Sequence, residues 1–409
     1  MRMFLARLVR FLKAVQTVWS IIGLTIIVIL LTEASLRLVF AVKDRLTSAG
    51  AVDPRLIEQG YGGEAWPIQH DRELRALADR WEPYVYFRQK PFAGRTITID
   101  ADGRRRTWAP AEAAERTGKV YRLLMLGGST LWGYGSRDDR TIPSLVARQL
   151  HDRGYRIEIQ NLAEIGYVST QEVVALIREL QAGYRPDLVI FYDGVNDTTS
   201  ALLEGEAGVT TNERNRRAEF NILQSPARLG ASLMMRIVRD SASFRLAQVI
   251  AHRVAGPAAI QPGGLSAAKR NELARDVVRR YQANLDIVEK LGRAYGFDAL
   301  FYWQPVVFDK QKLTPFEADE ARKLEWGRGF FGEVYGAIGE SGELRADPRF
   351  HDLSRVFAGS TELVFIDYCH TTEAANERVA ASFVDELVKV LPPAAAPSPG
   401  GSASHREIR

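Results

Sequence analysis

Val120-Tyr121-Arg122-Leu123-Leu124-Met125-Leu126-Gly127-Gly128-Ser129-Thr130-Leu131-Trp132-Gly133 is the stretch that decides the fold. A short apolar run ending at glycines reads as a buried strand. The two glycines permit a tight turn that side chains would block, and a serine follows at its tip. No lysine follows the glycines, so a Walker-type phosphate loop does not fit. Leu131 stands where the second glycine of a Gly-x-Ser-x-Gly elbow would be, so an α/β-hydrolase elbow does not fit either. The plain alternative makes Ser129 a small residue in a strand-to-helix turn.

Outward from this stretch, strand and helix patterns alternate. Arg156 to Leu162 and Leu188 to Tyr192 read as further strands, and Ala299 to Trp303 and Leu363 to Ile366 complete a set of five. Thr141 to Arg153 and Ser169 to Gln181 read as helices, the second with Ser169 as N-cap. Ser266 to Tyr295, Pro315 to Ile338 and Thr372 to Leu391 carry helical spacing. Such alternation implies parallel strands joined by right-handed crossovers. The expected fold is an α/β three-layer α/β/α sandwich with a mostly parallel five-stranded sheet.

The N-terminus is of a different kind. No charged residue occurs from Ala14 to Thr32, about the length that crosses a bilayer core. Arg2, Arg7, Arg10 and Lys13 precede it without an acid, so the positive-inside bias leaves the N-terminus cytoplasmic and the rest outside. A cleaved signal peptide is the competing reading. There is no small-x-small cleavage site after a short apolar region, and apolar character resumes at Leu36 to Val42, so we read residues 1–43 as a retained transmembrane signal anchor. Residues 44–118 form a polar, turn-rich extension, with short strands at Tyr84 to Arg88 and Arg95 to Asp100 and a turn at Asp102-Gly103. The catalytic domain is assigned to residues 119–391. Residues 201–265, with a charge cluster at Arg214 to Arg217 and a Pro/Gly-rich end at Gly256 to Gly264, read as an insertion over one end of the sheet. The tail, residues 392–409, has the composition of a disordered segment.

Of 409 residues, 46% are hydrophobic and 25% charged, which suits a globular chain with a sizeable core. The formal charge of +4 is small, and much of the basic excess precedes the anchor, so no nucleic-acid surface is inferred. One cysteine, Cys369, excludes an internal disulfide and a multi-cysteine zinc site.

In parallel sheets ligands bind at the carboxyl ends of strands. Ser129 follows the first strand, Asn161-Leu162-Ala163-Glu164-Ile165-Gly166 the second, Asp193-Gly194-Val195-Asn196-Asp197 the third and Asp367-Tyr368-Cys369-His370 the fifth. Together they supply what acyl transfer needs. His370 is placed to act as general base on the Ser129 hydroxyl and then as acid to the leaving group. Asp367 is near enough in sequence to orient the imidazole. The backbone N–H groups of Ser129 and Gly166 and the side-chain amide of Asn196 are candidate oxyanion donors. Each has a plainer reading: His370 as a capping or core histidine, Asp367 as a strand-end turn former, Asn196 as an Asx-turn residue and Gly166 as a turn glycine. Asp193 and Asp197 read as structural loop carboxylates, and Cys369 as a small packed residue. Gln304, at the end of the fourth strand, is a candidate substrate-pocket residue. Arg104-Arg105-Arg106 reads as a solvated charge run, with contact to an anionic glycan or lipid headgroup as the alternative. Tyr281 and Asn284 read as packing and capping residues.

These four blocks resemble the SGNH (GDSL-like) hydrolase superfamily, whose blocks centre on a serine, a glycine, an asparagine and a histidine with an aspartate three residues earlier. The first block here reads Gly-Gly-Ser-Thr rather than the commoner Gly-Asp-Ser; the missing aspartate is not a triad member. The resemblance covers about residues 119–391. It implies a flavodoxin-like SGNH fold, a catalytic Ser129, Asp367 and His370, an oxyanion hole of Ser129, Gly166 and Asn196, and neither cofactor nor metal. The anchor with Gly-Gly-Ser-Thr is similar to bacterial membrane-anchored members associated with extracellular polysaccharide. The expectation is an inner-membrane, single-pass serine esterase with its catalytic domain in the periplasm, taking an acylated carbohydrate or other small ester. Transfer of the acyl group to a glycan hydroxyl, or a non-catalytic glycan-binding subunit, are the competing functions.

Overall fold

A single long helix, α1 (Arg2–Thr47), opens the chain in the computed structural model, which describes residues 2–47, 52–110, 119–224, 226–255 and 266–392. Over Arg10–Lys43 this helix is long and apolar enough to cross a membrane, a test that a signal sequence also passes. The extension that follows holds α2 (Trp66–Ala76) and two antiparallel hairpins, β1 (Asp79–Glu82) with β2 (Tyr86–Gln89) and β3 (Phe92–Ala93) with β4 (Thr98–Ile99). The expected alternation comes next: β5 (Tyr121–Gly127), α3 (Ser129–Trp132), α4 (Ile142–Asp152), β6 (Ile157–Asn161), α5 (Ser169–Gln181), β7 (Leu188–Asp193) and α6 (Val195–Glu204). Three further helices, α7 (Glu213–Leu223), α8 (Pro226–Arg239) and α9 (Ala242–Ala255), precede α10 (Ala267–Tyr295), β8 (Asp298–Trp303), α11 (Pro315–Lys323), α12 (Glu325–Glu340), α13 (Gly342–Ala346), β9 (Phe350–Asp352) and α14 (Glu373–Val390).

The strand order is β6-β5-β7-β8-β9, and every neighbouring pair is parallel. The order reverses beside β5: the chain steps outward to β6 and returns on the other side to β7. Crossovers diverge there, which opens a crevice at the carboxyl ends of β5 and β7. Ser129 and the Asp193-to-Asn196 turn border that crevice. Side chains alternate across the sheet as a pleat requires. Leu124, Leu126, Val189, Phe191, Phe301 and Trp303 face α5, α6, α10 and α12. Leu123, Met125, Ile190, Tyr192, Leu300 and Tyr302 face α4 and α14. Both faces are covered, so the central strands read as unbroken apolar runs.

Three sequence expectations change. Leu363–Ile366 is extended but is not the fifth strand. Its N–H groups at Val364 and Phe365 donate to the Glu317 carboxylate at 3.0 and 3.1 Å, and only Phe365 bridges to Thr371. The fifth strand is the short β9, paired with the end of β8. Helical spacing over Pro315 to Ile338 is broken at Leu324 into α11 and α12. Val168, not Ser169, occupies the N-cap position of α5; Ser169 is the first helical residue and donates its hydroxyl to Asp197 at 2.6 Å.

The chain contacts divide into two units, Met1–Ala51 with Arg214–Gln261, and Val52–Glu213 with Pro262–Arg409. Much of the segment read as an insertion thus clusters with α1. The Pro/Gly-rich end after Ala255 and the tail beyond Pro392 lie outside the described residues.

Candidate active site

Ser129 is the first residue of α3, and a helix leaves its first N–H groups without intrahelical acceptors. The turn that delivers it is tight. A methyl group on Gly127 would come within 2.8 Å of the Tyr192 carbonyl, and one on Gly128 within 2.1 Å of Asn196 Nδ2. Side chains are thus excluded at both glycines by close approach.

From Ser129 a chain of hydrogen bonds runs to the last loop. Ser129 Oγ lies 2.7 Å from His370 Nε2, and His370 Nδ1 lies 2.6 Å from Asp367 Oδ2. The second Asp367 oxygen accepts from the backbone N–H groups of Cys369 at 2.9 Å and His370 at 2.8 Å. Burial alone would raise the Asp367 carboxyl, but the charge and hydrogen bond of His370 and these two amides outweigh it and hold the group below its usual range. Asp367 therefore remains an anion that accepts from Nδ1–H, leaving Nε2 to receive the serine proton. Tyr134 stacks on the imidazole, with ring centroids 4.2 Å apart and planes 28° from parallel. Asp367, Cys369 and His370 place three potential metal-ligating atoms within 4.8 Å of one another. Both imidazole nitrogens are already engaged, so this grouping is the orienting end of the hydrogen-bond chain. The Cys369 thiol is buried and its pKa is pushed well up by burial, so it stays protonated.

The oxyanion candidates border the same turn. Gly166 has φ +83°, in the left-handed region, and nothing stands within 4 Å of where its Cβ would be; backbone conformation is what requires glycine there. Asn196 follows Gly194, whose φ of +127° and contact with the Trp303 ring leave no room for a side chain. The Asn196 amide donates to the Tyr167 carbonyl at 2.7 Å, which aims it at the Gly128 side of the serine turn. An amide held this way needs no reorganisation as charge develops. Asn196→Ala is expected to lower kcat by about 10²–10³-fold with a small change in KM. Steady-state kinetics on a p-nitrophenyl ester check it; an unchanged kcat would remove Asn196 from the site.

Several residues that sequence reasoning left aside support this geometry. Glu164 is fully buried and pins the Gly166 turn: Oε1 accepts from Ile165 N at 3.0 Å and Oε2 from Gln89 N at 3.1 Å. Burial pushes its pKa up to about 7, partly offset by the charge of Arg88 and by the two amides. Arg105, read from sequence as part of a solvated run, is 1% exposed. Its guanidinium sits over the Trp132 ring at 4.1 Å and donates to the carbonyls of Trp132, Gly133, Thr96 and Ser136, with Asp138 Oδ1 at 3.1 Å from Nε. It ties the β3–β4 hairpin to the loop after Ser129. Arg104 pairs with Glu179, and Arg106 with Asp138. Gln304, the candidate pocket residue, is 3% exposed and donates to Thr130 Oγ1 at 3.2 Å. Asp197 accepts from Ser169, whose hydroxyl also receives Asn284 Nδ2 at 2.9 Å. Asp193 is buried near Glu172, and burial together with their mutual proximity raises the carboxyls. The only sequence signals for these supports were the quoted blocks themselves: Glu164 lies inside the second, and Tyr134 and Arg105 lie in none.

Tyr134, which stacks on the imidazole, also lines a cleft of about 440 Å³ together with Glu164 and Ile165 from the sheet side and Leu74, Arg75 and Phe87 from the N-terminal extension; Ser129 and His370 are not among its lining residues.

A switch-point serine hydrogen-bonded to an oriented imidazole, with an amide aimed at the same turn, defines a site of the serine-hydrolase kind. The family profile for GDSL-like lipase/acylhydrolase matches residues 123–383. The chain belongs to that family and is an ester-hydrolysing enzyme. Among solved structures it is similar to TesA (17% identity, TM-score 0.35, covering 66% of this chain and 99% of that one). It is also similar to a lipase/acylhydrolase from Enterococcus faecalis (15%, 0.37, 68% and 100%) and to the acetyl xylan esterase AlAXEase (12%, 0.35, 66% and 100%). No curated protein matches the sequence.

Proposed function

We propose that this chain is a bacterial inner-membrane esterase, single-pass through α1, whose extracytoplasmic domain removes acyl groups from an O-acylated cell-envelope or extracellular polysaccharide. The observation that carries the reading is the continuous Ser129–His370–Asp367 hydrogen-bond chain. Ser129 attacks the ester carbonyl while His370 takes its proton; Ser129 N–H, Gly166 N–H and the Asn196 amide stabilise the oxyanion. The alkoxide leaves with the proton from His370. Water then attacks the acyl-enzyme, with His370 again as base, and releases the acid.

The substrate class is supported by the cleft and the tether. Its wall mixes Asp71, Arg75 and Asp79, none of them buried, with Leu74, Ile165 and Phe87, and so offers polar partners to a hydroxyl-rich ester rather than a continuous apolar track for a long acyl chain. A domain held at the membrane meets polymers of the envelope. The test is to incubate the full-length protein with an O-acetylated oligosaccharide and follow product masses. Loss of 42 Da per acetyl group, as expected for conversion of an acetyl ester to a hydroxyl, with release of free acetate supports the reading. Acetyl groups moved intact to an added oligosaccharide, with no free acetate, would make the enzyme a transferase. Binding with no mass change at any enzyme concentration would overturn both.

A further inference from the structure

We propose that α8 lies in the membrane–water interface beside the outer end of α1, with its apolar face in the acyl chains of the bilayer; the proposal rests on α1 being a membrane anchor. Three observations lead there. First, residues Arg214–Gln261 cluster with Met1–Ala51, so this insertion is built around α1.

Second, the docking point stands at one particular level on α1. The Glu33 carboxylate caps α9: Oε1 accepts from Ala242 N at 2.7 Å, and Oε2 from Ser243 N at 3.1 Å and its hydroxyl at 3.0 Å. An acid at a helix N-terminus both satisfies orphan amides and meets the positive end of the dipole. Arg37 donates to the Asp240 carbonyl at 3.2 Å, and Phe40, 8% exposed, lies under the Arg245 guanidinium at 4.3 Å. The uncharged run ends at Thr32, so these contacts occupy the next one to two turns, within roughly 12 Å of the end of the apolar core at 1.5 Å per residue. With about 5–8 Å of headgroup region on each side of the core, Glu33 and Arg37 stand at headgroup depth and Phe40 just beyond it.

Third, among the described residues α8 presents an unpartnered apolar surface. Leu233 is 54% exposed, Met234 68%, Met235 52%, Ile237 69% and Val238 52%. At about 100° per residue these five side chains cover an arc of roughly 200°, and Arg236 and Arg239 lie outside it. A continuous apolar face of this size on a helix in water marks an interaction surface. The bilayer is the occupant favoured by charge and by continuity. Residues 226–255 contain five arginines and one aspartate, which suits anionic headgroups. The residue after α8, Asp240, is held to α1 by Arg37, and α1 is itself apolar and exposed from Ile21 to Leu31.

The test uses the full-length protein in nanodiscs of phosphatidylcholine and phosphatidylglycerol. Nitroxides are placed singly at Met234→Cys, Ile237→Cys, Arg236→Cys and, as a reference on α1, Ile26→Cys. Cys369 is buried and stays unlabelled. Collision with oxygen reports lipid, and collision with a neutral nickel chelate reports water. The expected result is an oxygen-to-nickel ratio several-fold higher at Met234 and Ile237 than at Arg236, approaching that at Ile26. Nickel access at Met234, with Ile26 in lipid, overturns the proposal and leaves the anchor intact. Shielding of Met234 from both probes, with Ile26 in lipid, also overturns it and means that protein covers the face. Nickel access at Ile26 removes the anchor reading and the proposal with it.

Discussion

Ser129→Ala is expected to lower kcat on p-nitrophenyl acetate by at least about 10⁴-fold while the protein stays folded. The size follows from the role. The hydroxyl is the atom that would form the acyl-enzyme, and no neighbour can replace it. The Cys369 thiol is buried and protonated, and Thr130 Oγ1 is engaged by Gln304. What survives is the rate that oriented donors give to attack by water. The stability cost is small by comparison. Ser129 makes one side-chain hydrogen bond, to a histidine still held by Asp367, so the change is about 1 kcal/mol or less. A fluorophosphonate probe should label wild type and not the variant. Equal labelling of the two, or equal kcat, would sink the proposed mechanism.

Asp367→Asn is expected to cost about 10⁴-fold in kcat by a different route. An asparagine that keeps the backbone amides of Cys369 and His370 as donors to its carbonyl presents its NH₂ to His370 Nδ1. The imidazole then carries its proton on Nε2 and cannot take one from Ser129. Labelling by fluorophosphonate should slow in parallel with kcat, because the same proton transfer is needed. There is also a signature in stability. The folded-state pKa of Asp367 is depressed, so the aspartate contributes stability that is fully present above the unfolded value near 3.9 and lost as the pH falls through the folded value. The variant should therefore melt below wild type at pH 7, and the gap should close on acidification towards pH 3. A constant gap across that range would mean that the carboxylate charge is not what the loop uses.

Much of the site was legible because its parts are local. Gly127-Gly128-Ser129 is a strand end and a turn in consecutive residues, and Asp367 to His370 is a turn short enough for the carboxylate to reach its own histidine. Gly166 and Gly194 also declare themselves, since both need backbone angles that side chains resist. The fifth strand was misplaced because Leu363–Ile366 has a strand's composition, while its amides at Val364 and Phe365 are claimed by Glu317, a buried carboxylate paired with Lys310 and distant from them in sequence. β9 is three residues long and shows no period. Arg105 was misread for a similar reason. Its neighbours Arg104 and Arg106 make exposed or half-buried pairs, and nothing in three consecutive arginines tells which one will enter a ring of carbonyls. Tyr134 and Gln304 took their places through contacts with residues more than 150 positions away, which periodicity cannot register.

The chain passes between its two contact units three times, at residues 51–52, 213–214 and 261–262. With α1 as the proposed membrane anchor, a protease that cuts between α1 and residue 52 would therefore not shed the hydrolase into solution. The severed helix would still be gripped through Glu33, Arg37 and Phe40 by a segment covalently continuous with the catalytic domain on both sides. Release would need a second event that loosens that grip. The insertion thus works as a clasp, which makes the attachment of α1 to the hydrolase independent of the peptide bonds that join α1 to residue 52.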